Sequence, residues 1–282
     1  MPRIARGIGD GLTYHVLNRG NGRQQVFHKE HDYRAFIELM GEAKDRYPVK
    51  IFAYCLMPNH FHLVLQPTHG DDLSKWMQWL MTSHIRRYHG HYGTCGHVWQ
   101  GRYKSFVIQN DSHFLTVLRY VENNPVRAGL VTAAKDWAWS SHRARISRLQ
   151  DIEPPNRRSQ NSSLQINEPR SQQSRPQIKT QINRSQNNQG LFGHNRVHSG
   201  KTHHILFLDE LPFALPDDWA DQVTKPLKNQ ELEKLRQSIE RQAPFGDAEW
   251  QMKIAKEFGL ESTIRPRGRP RKDMRAAYEK QL

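Results

Sequence analysis

The stretch VKIFAYCLMPNHFHLVLQ, residues 49–66, predicts two neighbouring β-strands joined by a tight turn. Its apolar and β-branched residues are typical of strands with a buried face. In the middle, Pro58 has no backbone N–H to give to a strand ladder and Asn59 favours turns, so one strand ends here and the next begins. His60 and His62 are two residues apart on the second strand, and we expect their imidazoles to share one face.

Further apolar patterns on either side of this hairpin have the period of strands or of helices. They give the order βαββαβ with one added helix, which predicts an α+β fold of the ferredoxin-like or RRM-like split βαβ type. In that arrangement an antiparallel sheet has helices on one face and leaves the other face open for a ligand. The predicted elements are strand 13–18, helix 31–47, strands 49–56 and 60–66, helix 72–88, strand 99–108 and helix 112–123.

Composition changes along the chain predict four regions. One long segment is rich in Gln, Asn, Ser, Arg and Pro and poor in large apolar residues, so burial cannot offset the entropy lost on ordering. The regions are a folded domain at 1–148, a polar disordered linker at 149–203, a small helical C-terminal region at 204–264 and a basic tail at 265–282.

The charge of the chain predicts a polyanionic partner, and nucleic acid is the first candidate. Its 42 Lys and Arg against 28 Asp and Glu give a net charge of +14 and a pI near 9.9. We find no long apolar segment and no signal peptide, which predicts a cytoplasmic protein without a membrane partner. Cys55 and Cys95 are too few for a disulfide scaffold and suit a reducing compartment.

The pair His60 and His62 is a candidate metal site, because two neutral imidazoles on one rigid strand suit a divalent ion and leave room for a phosphate. Taken alone, an H-x-H pattern more often means two histidines that merely lie on a polar sheet face. Tyr120 and Asn124 are four residues apart on a predicted helix and share its face. Tyr120 is then a candidate nucleophile on phosphorus and Asn124 a candidate third ligand, whereas the alternative for Tyr120 is an ordinary core aromatic.

Four motifs resemble the REP-associated tyrosine transposases, a branch of the single-tyrosine HUH transposases of bacterial insertion sequences. They are YHVLNRG at 14–20, MPNHFH at 57–62, WQGRYKS at 99–105 and YVENNPVRAG at 120–129, in the order of the family. The resemblance spans most of residues 1–145.

The resemblance implies a catalytic domain in which the added helix carries the nucleophile, Tyr120. It implies that His60, His62 and Asn124 bind Mg²⁺ or Mn²⁺. The expected reaction cleaves and rejoins single-stranded or hairpin DNA at short palindromic repeats through a 5′-phosphotyrosine. We expect a bacterial, nucleoid-associated protein that works as a monomer.

Basic residues around the proposed site are candidate DNA contacts, because guanidinium groups pair with phosphates or with guanine edges. The candidates at strand ends and loops are Arg19, Arg23, Arg102, Lys104 and Arg127. The tail begins RPRGRPRK and resembles an AT-hook, in which Arg267 and Arg269 would enter an A·T-rich minor groove. Trp99 and Tyr103 are candidates for stacking on unpaired bases.

A second basic group lies at the end of the predicted helix 72–88 and beyond. Its members either hold the backbone of a hairpin stem or form a solvated face, and the sequence does not decide between the two. The group consists of His84, Arg86, Arg87, His89 and His91.

Two other functions compete with this interpretation. A metal-independent phosphodiesterase would use His60 and His62 as acid and base and would tolerate Tyr120→Phe. A non-catalytic regulator that binds DNA hairpins would keep the basic surface and lack cleavage. The presence of Tyr120 together with both histidines favours the enzyme.

Overall fold

The computed structural model describes residues 7–152 and 208–265, with side chains described up to Ile146 in the first range. The chain divides into two units, residues 1–151 with 204–282 and residues 152–203, and nearly all described residues belong to the first. Most of the predicted linker, and Arg267 and Arg269 of the predicted AT-hook, lie outside the described residues.

The described residues form four strands and eight α-helices, and the elements up to α3 follow the predicted order βαββαβ with one added helix. The strands are β1 (Thr13–Arg19), β2 (Val49–Met57), β3 (His60–Pro67) and β4 (Lys104–Ile108). The helices are α1 (Glu30–Arg46), α2 (Gly70–Tyr92), α3 (Ser112–Arg127), α4 (Ser141–Ile152), α5 (Trp219–Thr224), α6 (Asn229–Arg241), α7 (Ala248–Glu257) and α8 (Glu261–Ile264).

The four strands form one antiparallel sheet in the order β2-β3-β1-β4. This is the order of a split βαβ fold, in which β1 and β3 are central, so the predicted α+β ferredoxin-like fold is confirmed. The turn predicted at Pro58 and Asn59 joins β2 to β3. The polar residues of these two central strands, such as His15 of β1 and His62 of β3, are therefore buried in the interior.

The first face of the sheet packs against α1 and α2. Phe61 and Leu63 of β3 are fully buried there with Phe36 of α1 and Trp76 of α2. Because side chains alternate along a strand, this burial sends His60 and His62 to the second face. The apolar alternation of β3 thus fixes the face on which its histidines lie.

The second face is covered, although an open face was expected. Helix α3 packs on it, and the core between them also contains Trp219 and Val223 of α5 and Leu235 of α6. The C-terminal helices present enough apolar surface to exclude water from this side of the sheet. Among the described residues of this face, His60 at the start of β3 stays partly exposed, so a ligand would reach the face at that end of the sheet.

The C-terminal region also contacts both edges of the sheet. Phe245 exchanges backbone hydrogen bonds with the β4 edge, from its N–H to the carbonyl of Val107 (2.8 Å) and from the N–H of Gln109 to its carbonyl (2.9 Å). At the β2 edge, the Asp209 carboxylate accepts from the N–H of Ile51 (2.7 Å), and the N–H of Asp209 donates to the carbonyl of Ile51 (3.0 Å). Backbone groups that an edge strand would expose are thereby paired.

Two element boundaries differ from the sequence prediction. Strand β4 begins at Lys104 instead of Trp99, because Trp99 forms only an isolated bridge with Gly20 and Gly101 has a left-handed φ of 147°. Helix α3 continues through Pro125 to Arg127, beyond the predicted end at residue 123. The second difference matters for the site, since it keeps Arg127 on the helix that carries Tyr120.

None of the helices in the described ranges is long and apolar enough to cross a membrane.

Candidate active site at the end of the sheet

The structure brings the predicted nucleophile and the predicted histidine pair together on the second face. The ring centroids of His60 and His62 are 5.1 Å apart on β3. Helix α3 presents Tyr120 to them, and its ring lies edge-on to His62 with centroids 5.6 Å apart. Tyr120 is 5% exposed and His62 3% exposed, so both lie in the covered part of the face.

A third histidine, His15 of β1, completes this group and was not singled out by the sequence analysis. Its ring stacks on His62 with centroids 5.0 Å apart, and its Nε2 lies 2.9 Å from Nδ1 of His62. Tyr120 also lies edge-on to His15, at 6.1 Å. The signal for His15 was its place in YHVLNRG, next to the apolar positions of the strand.

Each histidine of the predicted pair has its Nδ1 atom engaged by a neighbour. Nδ1 of His60 lies 2.6 Å from the side-chain oxygen of Asn59, which can only accept, so His60 carries its proton on Nδ1. Nδ1 of His62 is engaged by His15. Metal-binding histidines are commonly oriented by such a partner on the second ring nitrogen. The geometry leaves Nε2 of His60 with a free lone pair for a ligand.

Burial keeps these imidazoles neutral. It lowers the pKa of His15 to about 3. The pKa of His60 falls to about 4, first through burial and then through the nearby charges of Arg19 and Arg127. Burial also holds the pKa of His62 well below its usual range, with further contributions from His15 and His60. Neutral imidazole is the form that binds a metal ion, so the group suits a divalent cation at neutral pH.

Arg127 lies directly over Tyr120, although the sequence analysis assigned it only to DNA contact. Its Nη2 donates to the Tyr120 hydroxyl (3.1 Å), and its guanidinium carbon lies 4.6 Å from the centre of the phenol ring. The side chain of Arg127 is otherwise exposed. A guanidinium in this place can hold a phosphate group against the phenol oxygen.

Asn124 lies beside Tyr120 on α3, as its spacing predicted. Its side-chain nitrogen donates to the carbonyl of Tyr120 (2.9 Å), and its side-chain oxygen accepts from Arg127 (2.6 Å). That oxygen keeps one lone pair for a further ligand. Among the described residues, no three His, Cys, Asp or Glu side chains are grouped so that they could hold a metal ion. A metal here would need oxygen ligands in addition to the imidazoles.

The other predicted DNA contacts lie at the same end of the sheet. Arg19 is opposite His60 in the β1–β3 register, and Lys104 is opposite Leu17 in the β1–β4 register. All four of Arg19, Arg23, Arg102 and Lys104 are exposed. Their charged groups are therefore free to contact DNA at this end of the sheet, next to the candidate site.

The aromatic side chains expected to stack on bases are buried instead. Trp99 is 3% exposed and packs edge-on against Phe61, with ring centroids 5.2 Å apart, and Tyr103 is 8% exposed. Both belong to the core on the first face. A ring enclosed by core neighbours has no free face for a base, so the stacking expectation is wrong for Trp99 and Tyr103 as the structure places them.

On the other side of α3, a buried carboxylate ties the helix to the rest of the domain. Glu122 is fully buried and accepts from Ser141 Oγ (2.8 Å), His142 Nδ1 (2.9 Å), Arg145 Nε (3.1 Å) and Trp219 Nε1 (3.1 Å). Burial would raise the pKa of Glu122, but the Arg145 charge and the hydrogen bonds outweigh it and lower the pKa to about 2. This network links α3 to α4 and α5, and the sequence analysis missed it.

Known proteins resemble this chain chiefly in the region that builds the site. Residues 10–124 match the family described as Transposase IS200 like. A curated protein of Haemophilus influenzae, whose name places it among the REP-associated tyrosine transposases, is 32% identical over 108 residues. That match covers 34% of this chain and 61% of the Haemophilus protein, so the chain spans less than two thirds of that relative.

Two further relatives bear the same family name. The REP-associated tyrosine transposase of Escherichia coli K12 is 26% identical over 145 residues, which cover 50% of this chain and 82% of that protein. A solved structure of a REP-associated tyrosine transposase bound to a REP hairpin is 22% identical, with a TM-score of 0.46, over 58% of this chain and 95% of the other. The resemblance expected from the four motifs is confirmed: this chain is similar to the REP-associated tyrosine transposases, and its residues 10–124 match the family of IS200-like transposases.

Proposed function

We propose that this chain cleaves and rejoins single-stranded or hairpin DNA at short palindromic repeats, with Tyr120 as the nucleophile. One observation carries the proposal. The Tyr120 hydroxyl accepts from Arg127 while its ring packs against His62, so a phenol, a guanidinium and neutral imidazoles meet at one point. An ordinary core tyrosine would not be shared between a cation and a histidine pair. The family resemblance supplies the substrate class.

In the proposed reaction the Tyr120 oxygen attacks the scissile phosphorus. The bond from phosphorus to the 3′ oxygen breaks, and the DNA is left with a 5′-phosphotyrosine and a free 3′ hydroxyl. The phenol gives up its proton to solvent as the 3′ oxygen gains one, so the step is balanced. The reverse attack, by a 3′ hydroxyl on the phosphotyrosine, rejoins a strand without an energy source.

We propose His60, His62 and Asn124 as the ligands of Mg²⁺ or Mn²⁺. The imidazoles are neutral and oriented, and the Asn124 oxygen keeps a lone pair beyond the one that accepts from Arg127. When bound, the ion would polarise the phosphate and stabilise the charge that develops on it. His15 would orient His62 through the contact between their ring nitrogens.

The basic side chains around the rim would position the strand. Arg127 would hold the scissile phosphate, because it already reaches the Tyr120 hydroxyl and stays exposed on its other side. Arg19, which faces His60 across the β1–β3 register, would contact the neighbouring phosphate. Arg23, Arg102 and Lys104 would guide the strand to the site. The roles of Arg267 and Arg269 at a minor groove remain expectations from the sequence.

The decisive experiment incubates the protein with labelled hairpin DNA and Mg²⁺ or Mn²⁺, and looks for a protein–DNA adduct that survives SDS. We expect the adduct with the wild type and not with Tyr120→Phe, and a chelator should abolish it. Tyr47→Phe is the matched control, because Tyr47 caps the far end of α1. Absence of the adduct with both metals would favour the hairpin-binding regulator. Cleavage by Tyr120→Phe without metal would favour the phosphodiesterase.

A further inference from the structure

We propose that a basic cluster between α1 and α2 grips the sugar–phosphate backbone of a DNA stem whose unpaired end reaches Tyr120. The α1–α2 cluster is defined as His28, Lys29, His31, Arg87 and His91, all of them exposed. The proposal rests on the proposed function only in taking DNA as the ligand. It adds a second DNA-binding site, outside the group that would perform the chemistry.

Among the described residues, neither permanent cation of the cluster forms a salt bridge, although the charge of Lys29 contributes to the lowered pKa of Asp32. Lys29 Nζ donates to Nε2 of His91 (2.5 Å), and Arg87 Nη2 donates to Nε2 of His31 (2.8 Å). Each cation is thus hydrogen-bonded to a ring nitrogen and not to a carboxylate. Neither contact supplies a negative charge to the cation. A phosphate oxygen is a better acceptor for both, because it brings the missing negative charge.

The acidic side chains nearest the cluster already have other partners. Asp32 accepts from the backbone N–H groups of His28 (2.8 Å) and Lys29 (3.1 Å) at the start of α1, and from the Tyr92 hydroxyl (2.6 Å). Glu30 pairs with Arg34 one helical turn later (3.2 Å). Neither carboxylate therefore receives a hydrogen bond from the side chains of Lys29 or Arg87 in these pairs.

The cluster lies at the same end of the sheet as the candidate active site. The chain leaves β1 at Arg19 and enters α1 at Glu30, and it leaves α2 at Tyr92 and enters β4 at Lys104. The start of α1, the end of α2 and the hairpin before His60 therefore occupy one end of the domain. A DNA segment that reaches Tyr120 from this end passes the cluster.

Direct contacts connect the cluster to the hairpin that carries His60. The backbone N–H groups of Val26 and Phe27, just before the cluster, donate to the carbonyl of Pro58 (2.8 and 3.0 Å). The side chain of Asn59 donates to the carbonyl of Arg23 (3.1 Å) and also contacts Nδ1 of His60. The spacing between the cluster and the site is thus fixed by folded chain and not by a free loop.

A narrow cleft beside the cluster is lined by His31, Arg87, His91 and the buried His84, and also by Asp32, whose carboxylate is held by the start of α1 and by Tyr92. His84 is 4% exposed, and its Nδ1 has no hydrogen-bond partner among the described residues. An anion held by the cations above would place acceptor oxygens near this cleft. Contacts with phosphate oxygens do not recognise base edges. The cluster would therefore bind the backbone of a duplex stem whatever its sequence.

The test measures hairpin DNA binding by fluorescence anisotropy over a series of NaCl concentrations. It uses the full chain in a Tyr120→Phe background without metal, so that cleavage plays no part. We expect Lys29→Gln with Arg87→Gln to weaken binding on the order of 10-fold at moderate salt and to make the log Kd against log salt slope shallower by about 2. Lys50→Gln with Lys75→Gln removes two exposed cations at the opposite end of the sheet and should change neither value.

Two further experiments distinguish a loss of phosphate contacts from a change in packing. Lys29→Arg with Arg87→Lys keeps both charges and should bind like the wild type, which excludes a packing effect. Lengthening the stem should tighten binding by the wild type but not by the Gln variant. Equal salt slopes for the Gln variant and the wild type would overturn the inference, even if Tyr120 forms its adduct. A reduced slope supports it, even if no adduct is found.

Discussion

Helix α3 has two polar sides, and they are built in opposite ways. On one side, Glu122 is buried with four donors, one of them the cation of Arg145, so its charge is fully compensated. On the other side, Tyr120 contacts His15 and His62. Both histidines are buried, have no carboxylate partner in the part of the chain that the structure describes, and have their pKa values lowered by burial. The first arrangement gains stability from its contacts, whereas the second keeps neutral lone pairs that a ligand can use.

This contrast explains why only one side is a candidate for chemistry. A satisfied network of buried charges rigidifies the fold, and nothing can bind to it without breaking a contact. Buried imidazoles whose ring nitrogens lack partners cost free energy of folding unless a ligand binds them. Groups with pKa values perturbed in this way concentrate at functional sites. His15 illustrates the cost, because its Nδ1 is buried with no hydrogen-bond partner among the described residues.

Removing the carboxylate should have the largest effect on stability. We expect Glu122→Ala to lower the free energy of unfolding by about 3–5 kcal/mol, because it leaves Arg145 buried without its counter-charge. Urea denaturation at pH 7 measures this. Glu122→Gln keeps part of the hydrogen bonding and should cost less. A loss below about 1 kcal/mol for the alanine variant would mean that the network does not anchor α3.

Removing one of the hydrogen-bond donors of Glu122 should have an intermediate effect on the free energy of unfolding. In Trp219→Phe the ring is largely kept but the bond from Nε1 to Glu122 is lost, which should cost about 1.5–3 kcal/mol as expected for a hydrogen bond to a charged group. The same denaturation experiment applies, with Trp79→Phe as the control at a half-buried tryptophan. Equal losses in the two variants would show that ring size and not the bond to Glu122 is responsible.

Acid should weaken the histidine side while the carboxylate side is still intact. The pKa of His15 is about 3 in the folded protein and near 6.5 when unfolded, so the unfolded chain binds the proton first as pH falls. Stability is therefore lost between about pH 6.5 and 3, by up to about 1.4 kcal/mol per pH unit for each such histidine. Glu122, with its pKa of about 2, keeps its contribution above about pH 4.5.

His15→Leu tests this window, because it removes one titrating imidazole. In metal-free protein, the fall in stability between pH 7 and pH 5 should be smaller for His15→Leu than for the wild type. Thermal unfolding at several pH values is the measurement. Parallel curves for the two proteins would contradict the lowered pKa of His15 in the folded state.

The smallest change in stability should come from Tyr120, the residue proposed as the nucleophile. Tyr120→Phe removes one hydrogen bond, from the exposed Arg127, and should alter the free energy of unfolding by about 0.5–1.5 kcal/mol. The same variant should lose adduct formation completely. A large loss of stability in Tyr120→Phe would indicate that the hydroxyl is structural, and the contrast between the two sides of α3 would then fail.

Local patterns were enough to predict the hairpin and part of the site. The alternation around His60 and His62 determined the face on which both imidazoles lie, and the spacing of Tyr120 and Asn124 placed both on one helix face. These features depend only on the geometry of a single strand or helix. The order of the elements then determined the order of strands in the sheet, because connections between successive elements are short.

Features that join distant segments were not predictable. The partners of Glu122 lie 19 to 97 residues further along the chain, and no spacing pattern links them. His15 contacts His62 only through the pairing of β1 with β3, so a lone histidine in a strand gave no sign of its partner. Arg127 reaches Tyr120 because α3 continues through Pro125, whereas the rule for residues before proline favours an earlier end.

The pairing of the C-terminal chain with β4 has a consequence for how the protein forms during synthesis. Gln109 and Asp247 are hydrogen-bonded across 138 residues of sequence. At typical translation rates of about 5–20 residues per second, the ribosome needs roughly 7 to 28 s between these two positions. During that interval the β4 edge is made but its partner is not. A nascent or truncated chain therefore exposes the unpaired backbone N–H and C=O groups of β4. We expect chaperone binding or self-association to occur at this edge before synthesis of the C-terminal region is complete.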